Sequence, residues 1–80
     1  MTVTLLLFAS YADALGASSL DMELASESTV GDLLAAISYR PGAERLPPRP
    51  LVAVNQAYAT LDSVLRAGDE VALIPPVAGG

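Results

Sequence analysis

Residues 29–39 read TVGDLLAAISY, the longest stretch of the chain with the pattern of an amphipathic helix. Thr29 is a residue type that favours the N-cap, and Asp32 follows three residues later, which is close to a capping box. The apolar residues recur at helical spacing and are Val30, Leu33, Leu34 and Ile37. We therefore predict one main helix that runs from Thr29 to about Tyr39.

Stretches typical of β-strands lie on both sides of this helix, together with a short helical turn over residues 10–15 that Gly16 ends. The predicted strands are residues 2–9, 20–24, 51–54, a short piece around Tyr58 and 70–74. Leu61, Val64 and Leu65 are expected to pack in a turn before the last strand. A helix between strand pairs can cover one face of a mixed sheet, and the long intervening chain allows the first and last strands to pair in parallel. This order predicts an α+β fold of the β-grasp (ubiquitin-like) type.

The two faces of the predicted sheet carry different apolar residues, because successive residues of a strand point to opposite faces. The residues expected beneath the helix are Val3, Leu5, Leu7, Val71 and Leu73. Leu6, Phe8 and Ile74 then lie on the opposite face, where neighbouring strands would join them in one apolar patch. Such a patch is typical of a protein interface, and the alternative is a second, minor core under the loops.

Composition excludes several classes of function. The 80 residues are 52% hydrophobic and 16% charged, so the chain can fold as one small domain. A net charge of −5 with only four basic residues argues against nucleic-acid binding and favours a partner with a basic groove. No apolar run approaches the roughly 18 residues of a membrane span, and the first residues lack the pattern of a signal peptide. We expect a cytoplasmic protein with neither nucleic acid nor membrane as a partner.

Three residue types that carry much of protein chemistry are missing. Without Cys the chain has no thiolate for a disulfide, a metal site, a persulfide or nucleophilic attack. Without His it lacks the commonest general base, and without Lys it cannot form a Schiff base or accept an isopeptide bond on a side chain. We expect no metal site and no catalysis by this chain alone, which leaves its status as an enzyme open.

The final stretch, residues 74–80, reads IPPVAGG. Its two prolines favour an extended course after the last strand, and the four residues beyond them can reach about 13 Å. Two terminal glycines lack a Cβ, so the tail could thread a narrow channel in a partner, while the alternative is a frayed terminus. We divide the chain into a domain over residues 1–76 and a flexible tail over residues 77–80.

Several stretches carry a family resemblance that spans nearly the whole chain. They are residues 7–9 (LFA), 29–34 (TVGDLL), 52–56 (VAVNQ), Asp62 and, the longest, 65–80. Together they resemble the small subunit of molybdopterin synthase, a family of ubiquitin-like sulfur carriers. One departure follows the first strand, where family members often have an Arg-Glu pair and residues 10–13 of this chain read SYAD.

The resemblance implies a function for the tail. In this family an ATP-using adenylyltransferase, similar to ubiquitin-activating enzymes, adenylates the terminal carboxylate. A sulfur donor protein then supplies the sulfur that converts the acyl-adenylate to a thiocarboxylate. The tail enters the large subunit of molybdopterin synthase, which supplies the catalytic residues, and the sulfur passes to the cyclic pyranopterin monophosphate precursor of the molybdopterin dithiolene. ATP is used by the activating enzyme, and the carrier holds no permanent cofactor.

The resemblance also implies roles for individual residues. Gly80 carries the acyl-adenylate and the thiocarboxylate, and Gly79, Ala78 and Val77 give the tail access to the channel of the partner. The residues expected to bind the large subunit, within a heterotetramer, are Leu6, Phe8, Ile74, Pro75 and Pro76.

Other functions stay open at this point. The same carrier chemistry can serve a different acceptor, as in thiamine or transfer-RNA thiolation. A ubiquitin-like binding module or protein modifier, whose tail is never sulfurated, is an alternative of a different class. A hydrolase that acts alone is a more distant alternative, because no side chain with an obvious activator is available.

Overall fold

The computed structural model describes residues 1–46 and 50–75. Within these ranges the elements are β1 (Thr2–Leu7), α1 (Ser10–Leu15), β2 (Ser19–Glu23), α2 (Val30–Ile37), a 3₁₀ helix (Ala43–Arg45), β3 (Leu51–Val54), β4 (Ala57–Tyr58) and β5 (Glu70–Ile74). No helix in this part of the chain is long and apolar enough to cross a membrane. The predicted tail over residues 77–80 lies outside the described residues.

The strands form one mixed sheet in the order β2-β1-β5-β3-β4. β1 pairs in parallel with β5, whereas β1 with β2, β3 with β4 and β3 with β5 pair antiparallel. The long connection between the two parallel strands contains α2, as predicted. This topology confirms the predicted α+β fold of the β-grasp type.

One face of the sheet packs against α2 and forms the core. Its fully buried side chains include Val3, Leu5, Val71 and Leu73 from the sheet and Val30, Leu33 and Ile37 from the helix. Leu7 is also buried, so the strand residues predicted to lie beneath the helix are confirmed. Complete burial of a side chain of this size stabilises a fold by about 1.5–3 kcal/mol. A shift of one residue in the pairing of a strand would move its apolar side chains to the opposite face, so their alternation sets the register of the sheet.

The N-terminus of α2 has the predicted capping box. The Asp32 N–H donates to the Thr29 hydroxyl (3.2 Å), and the Thr29 N–H donates to the Asp32 carboxylate (2.9 Å). The helix ends at Ile37, two residues earlier than predicted, where the Ser38 hydroxyl donates to the carbonyl of the last turn. If the helix continued, Tyr39 would lie about 200° around the helix axis from Ile37 and would point away from the sheet. Tyr39 would therefore not be buried against the sheet, and its packing could not stabilise a longer helix.

The segment before β5 packs less than the sequence predicts. Leu65 is buried, but Leu61 and Val64 are 60% and 55% exposed. The backbone holds this segment instead, because the Gly31 N–H donates to the Leu61 carbonyl (3.0 Å) and the Leu65 N–H donates to the Ser28 carbonyl (2.8 Å). The Leu61 carbonyl therefore accepts from an N–H group in the first turn of α2, where N–H groups have no partner within the helix. The spacing of hydrophobic residues does not reveal this role.

Two glycines near α1 provide a matched pair for a stability test. Gly42 (φ +90°) and Gly16 (φ +75°) are both left-handed, but a Cβ at Gly42 would collide with the Ala14 carbonyl oxygen, whereas Gly16 has open space around it. We expect Gly16→Ala to cost about 1 kcal/mol of unfolding free energy and Gly42→Ala at least about 2 kcal/mol. Denaturant unfolding measures both, and equal losses would contradict the close approach of the 3₁₀ helix to α1.

Tyr11, within the stretch that departs from the family pattern, gives the fold a pH dependence. Its side chain is buried, and this burial raises the pKa of its phenol above the usual 10.0. As pH rises, the unfolded chain therefore releases this proton before the folded chain does. The contribution of Tyr11 to the free energy of unfolding is fully present below about pH 10 and falls above it, by at most about 1.4 kcal/mol per pH unit. We expect Tyr11→Phe, which keeps the other tyrosines, to lose less stability than the wild type between pH 9 and 11. Parallel losses in urea unfolding would refute this role of Tyr11.

Candidate functional site

The sheet face opposite α2, here called the outer face, carries an apolar depression. Leu6 of β1 and Ile74 of β5 point to this face because their neighbours in sequence point into the core. Ala72 of β5 lies two residues before Ile74 and pairs with Leu6 on one side and with Ala53 on the other. Since Ala53 and Ala72 have only methyl groups, they form a low floor between larger side chains.

The depression has a volume of about 390 Å³. Its lining residues are Leu6, Phe8, Ala53, Gln56, Tyr58, Glu70, Ala72 and Ile74. Phe8 is 49% exposed, so a large aromatic ring faces solvent at the rim. An open apolar surface of this kind is typical of a site for side chains of a protein partner.

Three of the residues predicted to bind a partner therefore lie together. Leu6, Phe8 and Ile74 line the same depression, as strand parity predicts, and Pro75 follows directly as a half-buried residue. Other predicted site residues lie outside the described ranges and are Pro76, Val77, Ala78, Gly79 and Gly80. The partner-binding role of the apolar residues and the carrier role of the tail stay predictions.

The topology places the end of β5 beside the depression. β5 lies at the centre of the sheet between β1 and β3. Because β1 and β5 run in parallel, Phe8 after β1 and Pro75 after β5 lie at the same edge of the sheet. A partner that covers the depression would therefore also contact the point where the chain leaves β5.

Sequence reasoning missed Tyr58 and Gln56 as lining residues. Asn55 and Gln56 both have positive φ (+50° and +72°), as in the two-residue turns that match strand twist. This turn folds β4 back on β3 and pairs Tyr58 with Ala53. The sequence contained the signal, since asparagine is typical of such turns, but the pairing partner of Tyr58 depends on the register of the hairpin.

Glu70, also missed, is held in place through its backbone. The Asn55 side-chain amide accepts from the Glu70 N–H (3.0 Å) and donates to the Asp69 carboxylate (2.9 Å). The Asn55 N–H donates to the Glu70 carbonyl (2.8 Å), and the second Asp69 oxygen accepts from the Arg66 N–H (2.8 Å). These bonds lock the β3–β4 hairpin to the start of β5 and fix the point from which the Glu70 side chain leaves the sheet.

The outer face can bind a partner but offers little chemistry of its own. Among residues 1–46 and 50–75, no group of three or more acidic side chains is placed to hold a metal ion. The polar groups that line the depression belong to Gln56, Tyr58 and Glu70, a set without a nucleophile and an adjacent base. The mostly apolar lining therefore suits the docking of a partner.

A family model described as the ThiS family matches residues 5–80. The chain belongs to the ThiS family. Over 83 residues it is 34% identical to the molybdopterin synthase sulfur carrier subunit of Chlamydomonas reinhardtii, with 100% of both chains covered. This confirms the resemblance seen in the sequence.

Solved structures confirm the ubiquitin-like β-grasp fold. The crystal structure of SAMP1 from Haloferax volcanii is 32% identical with a TM-score of 0.83, and the match covers 100% of both chains. A chain in the complex of subunits 1 and 2 of the molybdopterin-converting factor from Helicobacter pylori 26695 has a TM-score of 0.72. That match covers 100% of both chains at 22% identity, so it shows the shared fold.

Proposed function

We propose that this chain is the sulfur carrier subunit of molybdopterin synthase. The observation that carries the proposal is the apolar depression of Leu6, Phe8 and Ile74 beside the point where the chain leaves β5 toward its Gly-Gly end. Membership of the ThiS family and the named function of the Chlamydomonas relative support it. The folded domain docks on the large subunit, and the tail delivers sulfur into the catalytic site of that subunit.

The proposed chemistry takes place on the carboxylate of Gly80. This carboxylate attacks the α-phosphorus of ATP on the activating enzyme, pyrophosphate leaves, and the acyl-adenylate gains a good leaving group. Sulfide-level sulfur (HS⁻) from the donor attacks the acyl carbon, the bond to AMP breaks and AMP leaves, and the product is a thiocarboxylate, a nucleophile near neutral pH. The large subunit then transfers this sulfur to the cyclic pyranopterin monophosphate precursor. The absence of Cys supports this route, because no side chain of the carrier can hold the sulfur instead.

We expect Gly80 to acquire a thiocarboxylate when the chain is incubated with its activating enzyme, ATP and a sulfide source. Mass spectrometry of the C-terminal peptide checks this, because replacement of oxygen by sulfur has nearly the nominal mass of oxidation at Met1 or Met22. Alkylation of the new sulfur identifies it, and a chain without Gly80 is the control. An unmodified terminus in the presence of active enzyme would rule out the carrier chemistry.

We expect the apolar depression to be required for binding of the large subunit. Ile74→Asp places a charge in it and Ala72→Leu fills its floor, so each should weaken binding at least tenfold, as expected where a docked apolar anchor is lost. Tyr39→Ala removes an exposed aromatic ring outside the lining of the depression and should leave the affinity unchanged.

Isothermal titration calorimetry measures these affinities, and urea unfolding tests the folding of each variant. Because Ala72 and Ile74 are half-buried and outside the core cluster, we expect each substitution to lower the unfolding free energy by no more than about 2 kcal/mol. If Ile74→Asp and Ala72→Leu both unfold the chain, the depression is part of the core. If both fold and bind like the wild type, the large subunit docks elsewhere.

A second candidate function is that of a protein modifier. The relative from Haloferax volcanii, similar over the whole chain, is named SAMP1, which stands for small archaeal modifier protein 1. A modifier would join its Gly80 carboxyl group to lysines of other proteins. Denaturing gels and peptide mass spectrometry detect such conjugates, whereas a thiocarboxylated chain that sulfurates the pyranopterin precursor supports the first proposal. Sulfuration of thiamine or transfer-RNA precursors instead would change only the acceptor.

A further inference from the structure

We propose that the outer face binds the large subunit through two groups of that subunit. An apolar side chain of the large subunit fills the depression, and a cationic side chain of the large subunit pairs with Glu70. This inference rests on the proposed function and specifies the chemistry of the partner surface. The partner would present an aliphatic or aromatic side chain and, on the same surface, an arginine or lysine.

Glu70 lies at the opposite end of the depression from the C-terminal end of β5. It is the first residue of β5, and Ile74, at the other end of the lining, is the last. The strand rises about 3.3 Å per residue, so these positions are roughly 13 Å apart. Ala72 lies midway and forms the floor. A partner surface that covers the floor from end to end therefore also covers the Glu70 carboxylate.

The Glu70 carboxylate differs from its acidic neighbours because they have partners within the chain. Asp21 accepts a hydrogen bond from the Thr4 hydroxyl (3.1 Å), and Glu23 forms an ion pair with the N-terminal ammonium (3.8 Å). Asp69 accepts two hydrogen bonds near the hairpin. Among the described residues, the hydrogen bonds of Glu70 involve its backbone, and none involves its carboxylate.

This free carboxylate determines which partner surface can bind well. No Arg is among the described residues that line the depression, and the chain has no Lys, so this described lining supplies no cation. A partner that seals the depression removes water from Glu70, and a buried charge without a partner opposes binding strongly. A guanidinium or ammonium group on the partner removes this penalty and fixes the orientation of the docked domain. The net charge of −5 attracts the same basic surface at longer range.

The test compares two neutralising substitutions on the same face. Glu70→Gln keeps the shape of the side chain and every backbone hydrogen bond but removes the charge. Asp21→Asn is the matched control. Asp21 lies on the outer face but outside the lining of the depression, and it accepts a hydrogen bond from Thr4. The affinity of each full-length chain for the large subunit is measured by calorimetry at 50 and 300 mM NaCl, with urea unfolding as the check on folding.

We expect Glu70→Gln to weaken binding at least tenfold at 50 mM NaCl and to reduce the salt dependence of the affinity. Asp21→Asn should stay within about threefold of the wild type. Equal affinities of Glu70→Gln and the wild type would overturn the inference, as would a loss with Asp21→Asn as large as that with Glu70→Gln. A loss seen only with the activating enzyme, and not with the large subunit, would also overturn it.

Failure of this inference can be told apart from failure of the proposed function. If Ile74→Asp abolishes binding but Glu70→Gln does not, the large subunit still docks in the depression and only the cationic contact is wrong. If the wild-type chain does not bind the large subunit at either salt concentration, the proposed docking itself is wrong.

Discussion

The parallel pairing of β1 with β5 brings Leu6, Phe8 and Ile74 together on the outer face, next to the end of β5. Leu5 lies opposite Val71 and Leu7 opposite Leu73, so the core face of the two central strands is continuous. The same pairing brings the ends of both strands to one edge of the sheet. If β5 ran antiparallel to β1, the chain would leave β5 near Thr2 and far from Phe8. The position of Pro75 beside the depression is thus a consequence of strand direction.

The depression exists because the centre of the outer face carries small side chains. Alanine is disfavoured in β-strands relative to valine, isoleucine or aromatic residues, yet Ala53 and Ala72 lie side by side on adjacent strands. On the core face, the same strands carry the larger buried residues Val52 and Leu73. The preference of β-strands for larger side chains is therefore given up on the outer face and kept on the core face. This difference indicates a functional requirement on the outer face, since folding alone would favour larger side chains there.

Much of this fold follows from short-range patterns in the sequence. Alternation in β1 and β5 identifies the core face, and the capping box at Thr29 and Asp32 identifies the start of α2. These features can be predicted because each depends on residues a few positions apart. The exposure of Leu61 and Val64 could not be predicted in this way, because it depends on backbone hydrogen bonds to a helix thirty residues earlier.

The candidate site could be predicted only in part for the same reason. Strand parity alone places Leu6, Phe8 and Ile74 on one face. Glu70 has the same parity as Ile74 in β5, whereas Tyr58 joins the lining through the register of the β3–β4 hairpin. A strand pairing of this kind arises from tertiary structure, so Tyr58 shows no functional pattern within its own stretch of sequence.

A carrier that reacts through its terminal carboxylate faces a problem of selectivity. The reacting group would be chemically the same on any chain that ends in glycine, so the tail can discriminate between partners only by its reach and width. Discrimination between partners must then come from the folded domain, where apolar shape gives affinity but little angular specificity. In the proposed complex, the Glu70 carboxylate at one end of the depression supplies this direction, because the partner must bring its cation to that end. If recognition takes place on the sheet and chemistry on the tail, as proposed, the folded domain needs no Cys, His or Lys.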